Sequence, residues 1–388
     1  MSARTDVVVI GGGIVGLATA RKLLDAEPSL QVTVLEAEER VGLHQSSHNS
    51  GVLHAGVYYA PGSAKAELCR VGKAAMERFC EENEIPVVHN GKLVVALDES
   101  ELPRFDALVE RATANGVPGL KVLGREELRE IEPEAAGIKA LHSPSTGVVD
   151  FGAVCLALAA KLPDVRTGHR VTGVAETSSG VRITTSQGEI EAANAVVCGG
   201  VQAETLARAS GQATTLRVVP FRGSWIQLTP EGGALVRGNI YPVPDPTLPF
   251  LGVHFTRRFN GDVWAGPNAV LSLKYPRLVA RALAHPGLYR LAWTHRRTAI
   301  TELYEDRFRS AYLRQMRRYV PAVEAKHLVG PRPYGIRAQA IGRDGHLVDD
   351  FVIDGGPRVV QVLNAPSPAA TSSLAIGERV AGEVLARR

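Results

Sequence analysis

Residues 6 to 36 constrain this chain more than any other stretch. Asp6-Val7-Val8-Val9-Ile10 is a short apolar run rich in β-branched residues, which suits a buried strand. Gly11-Gly12-Gly13-Ile14-Val15-Gly16 follows, and then Leu17 to Leu24 with apolar residues at helical spacing. A second apolar run, Gln31-Val32-Thr33-Val34-Leu35, ends in Glu36. Strand, glycine turn, helix, strand and acid in this register predict a Rossmann-like α/β unit that binds a dinucleotide. Gly11 permits the tight turn out of the strand. Gly13 has no Cβ, so the backbone can approach a pyrophosphate. Gly16 lets the helix lie close to the sheet. The N–H groups of Ile14 and Val15 open the helix, whose positive dipole end faces the phosphates. Glu36 stands where it can accept hydrogen bonds from ribose hydroxyls.

The chain has 388 residues, enough for two domains with cores of their own. A hydrophobic content of 45% with 22% charged residues is ordinary for a globular protein. A fingerprint that begins at residue 6 leaves no space for a signal peptide, and no stretch approaches the roughly 20 apolar residues that span a bilayer. The four cysteines, Cys69, Cys80, Cys155 and Cys198, have neither CxxC nor metal-ligand spacing. They read as reduced, buried thiols in a cytoplasmic protein without a metal site.

Charge is uneven. Between Lys274 and Lys326 stand twelve Lys/Arg against four Asp/Glu, a local +8 in a chain of net +4. Two readings are open. One is an ordinary helical face whose charges pair internally with Glu302, Glu305 and Asp306. The other is a patch for an anionic surface such as the inner face of a membrane, because Leu288, Tyr289, Leu291, Trp293, Tyr304, Phe308 and Tyr312 interleave with the basic residues. No nucleic-acid-binding motif accompanies the charge.

The segment from Glu39 to Tyr59 is dense in small hydroxyls, Asn and His, a composition suited to lining a polar cofactor. Ser63 is placed to cap a helix that runs to about Glu84. Pro86-Val87-Val88 and Lys92–Leu97 read as strands joined by a turn at Asn90-Gly91. Helices are expected around Leu102–Ala114, Arg125–Ile131 and Phe151–Leu162. Arg170–Val174, Val181–Thr185 and Ile190–Ala193 look like a meander of short strands. Ala195–Cys198 is a separate buried strand that ends in Gly199-Gly200, a second phosphate-side turn. From Val218 many prolines stand among short strands, including Pro244-Asp245-Pro246 and Leu248-Pro249-Phe250. Gly335–Gln339 is extended, a last hairpin leads into Val359–Leu363, and a terminal helix closes the chain.

The order of these pieces resembles the D-amino-acid-oxidase superfamily of FAD enzymes, which includes glycine and sarcosine oxidases. Within it the strings are similar to the L-2-hydroxyglutarate dehydrogenase/oxidase family nearly end to end. They are His44-Gln45, His48–Tyr59, Pro61-Gly62-Ser63, Gly91-Lys92-Leu93, Thr146–Asp150, Pro220–Gly223, Ile240–Pro246, Pro249–Thr256, Gly266–Ala269, Arg337–Ala340 and Asn364–Thr371. The chain departs at Ser46-Ser47, where the family tends to have Thr-Gly, and at Trp225, where Tyr is usual. Leu271–Val329 matches loosely.

The resemblance implies an α/β plus α+β fold. A discontinuous FAD domain would comprise 1–85, 145–215 and 335–388. A substrate domain of 86–144 and 216–334 would lay an antiparallel sheet over the flavin face. It adds Ser46, His48, Asn49, Ser50, Gly51, Val171, Cys198, Gly199, Ala370, Thr371 and Ser372 to the cofactor contacts, with His48 either in non-covalent contact or covalently linked to the flavin. It further implies oxidation of L-2-hydroxyglutarate to 2-oxoglutarate. No second GxGxxG is present for NAD(P), so reduced flavin would pass its electrons to a quinone or to oxygen.

Oxidising a small 2-hydroxy dicarboxylic acid moves a hydride from C2 to flavin N5 while a base takes the hydroxyl proton. Arg337 sits where the superfamily often places its carboxylate-binding Arg, and a forked cation suits that role. His54 and His254 are the candidate bases and Tyr241 a polar anchor. Arg222 either holds a second carboxylate or pairs with an internal Asp or Glu. The alternative enzyme is an amine oxidase of the glycine or sarcosine type. A flavin-containing protein without turnover and a flavin hydroxylase are further readings. The polar side chains expected at the flavin argue against the first, and Asn364-Ala365-Pro366-Ser367-Pro368 in place of a Gly-Asp-rich element argues against the second.

Overall fold

The computed structural model describes residues 5–212, 214–245, 251–330 and 332–388. Pro246 and Leu248-Pro249-Phe250, part of the proline-rich expectation, lie outside the described residues. The first forty residues fold as their pattern demands: β1 (Thr5–Ile10), α1 (Ile14–Ala26) and β2 (Val32–Leu35). β1 lies between two parallel neighbours, β2 on one side and Gly188–Val197 on the other. Its residues therefore have no solvent face, which is why Val7, Val8 and Val9 follow one another without alternation.

The sheet continues through Val359–Asn364 to Val352–Gly355 at one edge and through β2 to Val165–Arg166 at the other. Alternate residues of β1 feed two cores. Val7 and Val9 pack with α1 and the C-terminal helix Ser373–Leu385. Val8 and Ile10 pack with Val174, Val181 and Ile183 of the meander and with Leu206.

The structure differs from the sequence reading in two places. The runs Ile190–Ala193 and Ala195–Val197 are one ten-residue strand, because pairing with Val181–Thr185 passes without interruption into pairing with β1. Asn90-Gly91 does not close a hairpin. Pro86–Val88 contribute only a bridge from Val88 to Val148, and Lys92–Ala96 pairs with Asn239–Pro242 and Lys139–Ser143 instead. A turn signal names a bend in the chain, and here both strand partners come from far along the sequence.

The second sheet runs Ile226–Gln227, Val263–Gly266, His254–Arg257, Asn239–Pro242, Lys92–Ala96, Lys139–Ser143 and Lys121–Gly124. It is antiparallel except where Asn239–Pro242 lies parallel to Lys92–Ala96. A third, smaller sheet pairs Arg217–Ser224 with Tyr334–Ile341 and Val270–Leu271, which sets Arg337 opposite Phe221. The basic stretch forms four helices, Pro276–Leu283, Pro286–Thr294, Arg296–Arg307 and Arg309–Tyr319. Among the described residues no helix is long and apolar enough to cross a membrane.

α1 packs closely against Ser373–Leu385. A Cβ on Gly377 would lie 2.7 Å from the Ala18 carbonyl carbon and 2.8 Å from the Thr19 nitrogen. Gly377→Ala should therefore lower stability by about 1–3 kcal/mol, although alanine is the better helix former by ~1 kcal/mol. Thermal unfolding should move down by several degrees, with flavin content falling in step. An unchanged or higher Tm would show that the two helices can part without cost.

Candidate active site

The site begins at the glycine turn. Gly11 has φ +114°, and a Cβ there would meet the Cys198 carbonyl oxygen at 2.3 Å. A Cβ on Gly16 would lie 2.0 Å from the Gly11 carbonyl oxygen. Turn, helix and neighbouring strand thus meet with no room for a side chain. Gly13 is the N-cap of α1 and supplies no side-chain cap. Ser46 Oγ accepts the Ile14 N–H at 2.9 Å. Glu36 does more than face a ribose: its Oε2 accepts the Gly12 N–H at 2.7 Å and its Oε1 accepts the Glu38 N–H at 2.9 Å. It fastens the turn while retaining lone pairs toward the cavity.

A cavity of about 1060 Å³ opens from this turn. Gly11, Gly13, Ile14, Val15, Gly16 and Glu36 line one end of it. Ser46, His48, Asn49 and Ser50 line its side, with Val171, Cys198, Gly199, Ala370 and Thr371 around them. Gly51 and Ser372 stand behind the wall. Gly51 donates its N–H to Asn49 Oδ1 at 2.8 Å and accepts the Val149 N–H at 2.8 Å. Ser372 is fully buried, and a Cβ on Gly72 would come within 2.6 Å of its Cα. Thr371 ties two loops together: its hydroxyl accepts the His54 N–H at 3.1 Å and donates to the Val52 carbonyl at 3.3 Å. His48 turns Nδ1 to the His44 carbonyl at 3.0 Å, which leaves Nε2 for the cavity side. Two buried polar atoms on the wall, Tyr58 Oη and Trp225 Nε1, have no hydrogen-bond partner among the described residues. A helix end capped only at Ile14, glycine backbone and orphaned donors form a surface that fits a dinucleotide carrying a polar ring system.

At the far end His54, Tyr241, His254 and Arg337 come together. Tyr241 and His254 occupy adjacent strands, and their rings stack 4.0 Å apart at 28°. His254 Nδ1 lies 2.8 Å from the Gly252 carbonyl oxygen. A carbonyl only accepts, so Nδ1 carries the proton and Nε2 keeps a lone pair. Burial, with Arg337 and Lys92 adding to it, pushes the His254 pKa down to about 3. His54 is likewise held well below the usual histidine range, by burial first and then by Lys92, His254 and Lys65. Burial pushes the Tyr241 hydroxyl up to about 12. Arg337 is half-buried beside Glu302, Tyr312 and Tyr241, and burial lowers its pKa.

Arg222 does not reach the cavity. Its guanidinium pairs with Asp306 at 2.5 Å, and the other oxygen of Asp306 accepts from Asn268 Nδ2 at 2.9 Å. Glu302 of the same helix accepts the Ala269 N–H at 2.8 Å, and burial raises its pKa to about 7. Glu305 accepts from Gln315 at 2.8 Å. These three acids turn inward, but Asp306 pairs with Arg222 and Arg332 from outside the basic stretch, and Glu302 and Glu305 bond neutral donors, so the internal pairing expected for the basic residues is not what they make. Sequence reasoning missed Tyr58, Lys65 and Lys92. Lys65 lines the cavity with its side chain 9% exposed, and it pairs with Asp349 at 2.6 Å. The signals for Lys92 are a cation at the head of the apolar run Leu93-Val94-Val95-Ala96 and its place in the family string Gly91-Lys92-Leu93.

Glu36→Ala removes the acceptor from two backbone N–H groups in the turn. Flavin retention during dialysis should fall, while the fraction that stays loaded keeps most of its turnover, since Glu36 lies at the turn and far from the histidines. A fully loaded but inactive variant would contradict this placement.

Residues 6–383 match the family described as FAD dependent oxidoreductase, DAO. Among curated proteins, L-2-hydroxyglutarate dehydrogenase, mitochondrial, of Nematostella vectensis is 43% identical over 100% of this chain and 91% of its own length. The protein of that name from Homo sapiens is 40% identical over 98% of this chain and 89% of its own. L-2-hydroxyglutarate dehydrogenase of Escherichia coli K12 is 41% identical over 98% and 93%. Among solved structures, FAD-bound L-α-glycerophosphate oxidase of Mycoplasma pneumoniae superposes with a TM-score of 0.77 at 21% identity, covering 99% of this chain and 95% of that one. Glycine oxidase of Geobacillus kaustophilus gives a TM-score of 0.74 at 20% identity, over 99% and 95%. The turn, the cavity it opens and these matches agree: the chain is an FAD-dependent oxidoreductase and belongs to the DAO family.

Proposed function

We propose that this protein oxidises L-2-hydroxyglutarate to 2-oxoglutarate. One observation carries the reading: the cavity that begins at the dinucleotide turn ends at two neutral histidines flanked by two cations, Arg337 and Lys65. Arg337 suits one carboxylate of a diacid, and Lys65, which carries Asp349 at 2.6 Å, would meet the second by exchanging that partner. When bound, FAD supplies the two-electron acceptor for the C2 hydrogen. Arg337 grips the C1 carboxylate through paired N–H donors. His254 takes the hydroxyl proton at Nε2, because its Nδ1 proton is committed to Gly252. Tyr241, stacked on His254, holds the substrate hydroxyl in reach. In this reading 1–85, 145–215 and 335–388 hold the cofactor, and 86–144 and 216–334 hold the substrate.

Incubating the holoenzyme without oxygen with L-2-hydroxyglutarate, and separately with glycine and sarcosine, tests the reading. The hydroxy acid should bleach the flavin. Bleaching by the amines alone would move the chain to the amine oxidases. Arg337→Ala should keep FAD and raise KM roughly 10- to 100-fold, the loss of one charge-assisted contact on the order of 1.5–3 kcal/mol. Unchanged kinetics would remove Arg337 from the site.

The final electron acceptor is a quinone or oxygen, and the helices of the basic stretch favour the quinone. Trp293, Ile300 and Leu303 are 73%, 67% and 61% exposed, among the exposed cations Arg290, Arg296, Arg297 and Arg307. Each basic residue near an anionic surface contributes roughly 1 kcal/mol within a Debye length of about 8–10 Å. The protein should sediment with anionic vesicles, more weakly with neutral ones, and come off with added salt. Equal, salt-insensitive partitioning, or none to either, would leave oxygen or another carrier as the acceptor and a cytoplasmic protein free of the membrane.

A further inference from the structure

The reaction above leaves one buried ionisable group unused. Lys92 opens the strand Lys92–Ala96 in the interior of the seven-stranded sheet and is 1% exposed. Its ammonium lies 4.2 Å from the centroid of the Tyr241 ring and 5.0 Å from that of Tyr58. Those two rings lie 6.5 Å apart at 23°, and Tyr241 in turn stacks on His254. The column runs ammonium, tyrosine, histidine, cavity. A buried cation is costly unless something faces it, and here the faces of two aromatic rings do so.

The groups that face Lys92 bring no negative charge. The loop before the first long helix brings His54 and Tyr58, and that helix brings Cys69; Lys65 and Lys73 of the same helix stand further out, matched by Asp349 and Glu77. The strand Asn239–Pro242 brings Tyr241, and His254–Arg257 brings His254, with Arg337 beyond it. On the other flank Ser143 pairs with Lys92 and His142 with Leu93. Burial holds the Cys69 thiol up at about 12, so it too stays neutral. Among the described residues no carboxylate comes within ion-pair distance of Lys92.

We propose that Lys92 is a positioning residue: it fixes the tyrosine on which His254 rests and adds to the burial that leaves that histidine a neutral proton acceptor. The catalytic consequence rests on the reading of His254 as the base, whereas the column of contacts does not. Two effects combine. The cation–π contact fixes the tilt of Tyr241 and hence of the imidazole stacked on it. The ammonium also opposes a second positive charge one ring away. Burial brings Lys92 down to about 7, so it is protonated on the acid side of neutrality, where an isolated histidine would take up a proton. Its charge is therefore present in the pH range in which it matters.

The test titrates the histidines of the FAD-loaded protein by NMR, with the His254 signal assigned from His254→Asn. In the wild type His254 should stay neutral down to at least about pH 5. In Lys92→Met, which keeps the stem and removes the charge, its pKa should rise, while burial and Arg337 still hold it below the usual histidine range. Lys92→Arg should hold it near the wild-type value. The acid limb of kcat/KM for flavin reduction should move with it. A wild-type His254 that titrates near 6.5 overturns the proposal without any variant. An unmoved His254 in a folded, flavin-loaded Lys92→Met overturns it as well. A His254 that shifts while the acid limb stays put upholds the role of Lys92 and removes His254 as the base, so the two failures read separately.

Discussion

No side chain fits where Gly11, Gly16 and Cys198 meet, and the rest of the structure depends on that exclusion. The missing Cβ atoms let β1, the start of α1 and the end of Gly188–Val197 close to backbone contact. Close approach brings the N-terminus of the helix to one end of the cavity, where Ser46 accepts only the Ile14 N–H. The Glu36 carboxylate then sets the turn by accepting from Gly12 and Glu38. A longer side chain at Gly11 or Gly16 would part helix from sheet and lose both the anion site and the core of Val7, Val9 and Leu17.

The far end of the cavity obeys a different constraint. It is walled by a second sheet, and its ionisable groups are histidine, tyrosine, lysine and arginine, with Asp349 paired to Lys65 and Asp245 to Arg104. With cations around them, two buried histidines are held neutral, which is the state a proton acceptor needs. The acids of the neighbourhood are used elsewhere. Asp306 is engaged by Arg222 and Asn268, and Glu302 by the Ala269 N–H. In the proposed function the site offers positive potential to an anionic substrate and a neutral base to its hydroxyl.

The cofactor end was legible because its physics is local. Gly11 to Glu36 is one contiguous unit, and each residue there acts through its immediate neighbours. The helices Leu102–Ala114 and Arg125–Ile131 were legible for the same reason. Lys92 was not, because its meaning lies in Tyr58, which comes from a loop before the first long helix, and in Tyr241, which reaches it through a strand pairing over more than a hundred residues of intervening chain. The partner of Arg222 was hidden too: sequence left it between a substrate and an internal acid, and only the placement of the helix Arg296–Arg307 sets Asp306 beside it. His54, His254, Tyr241 and Arg337 came from family resemblance more than from spacing, since a lone histidine in an apolar strand carries no local signal of its use.

The account stands on a diacid meeting the flavin at the histidine end of this cavity. The most direct measurement is the rate of anaerobic flavin reduction across L-2-hydroxy acids of increasing length, with and without a second carboxylate. The account predicts a maximum at the five-carbon diacid, with the monocarboxylic acid of equal length at least tenfold slower, as the loss of one charge-assisted contact requires. Equal rates for mono- and dicarboxylic acids, or a maximum at another length, would contradict it.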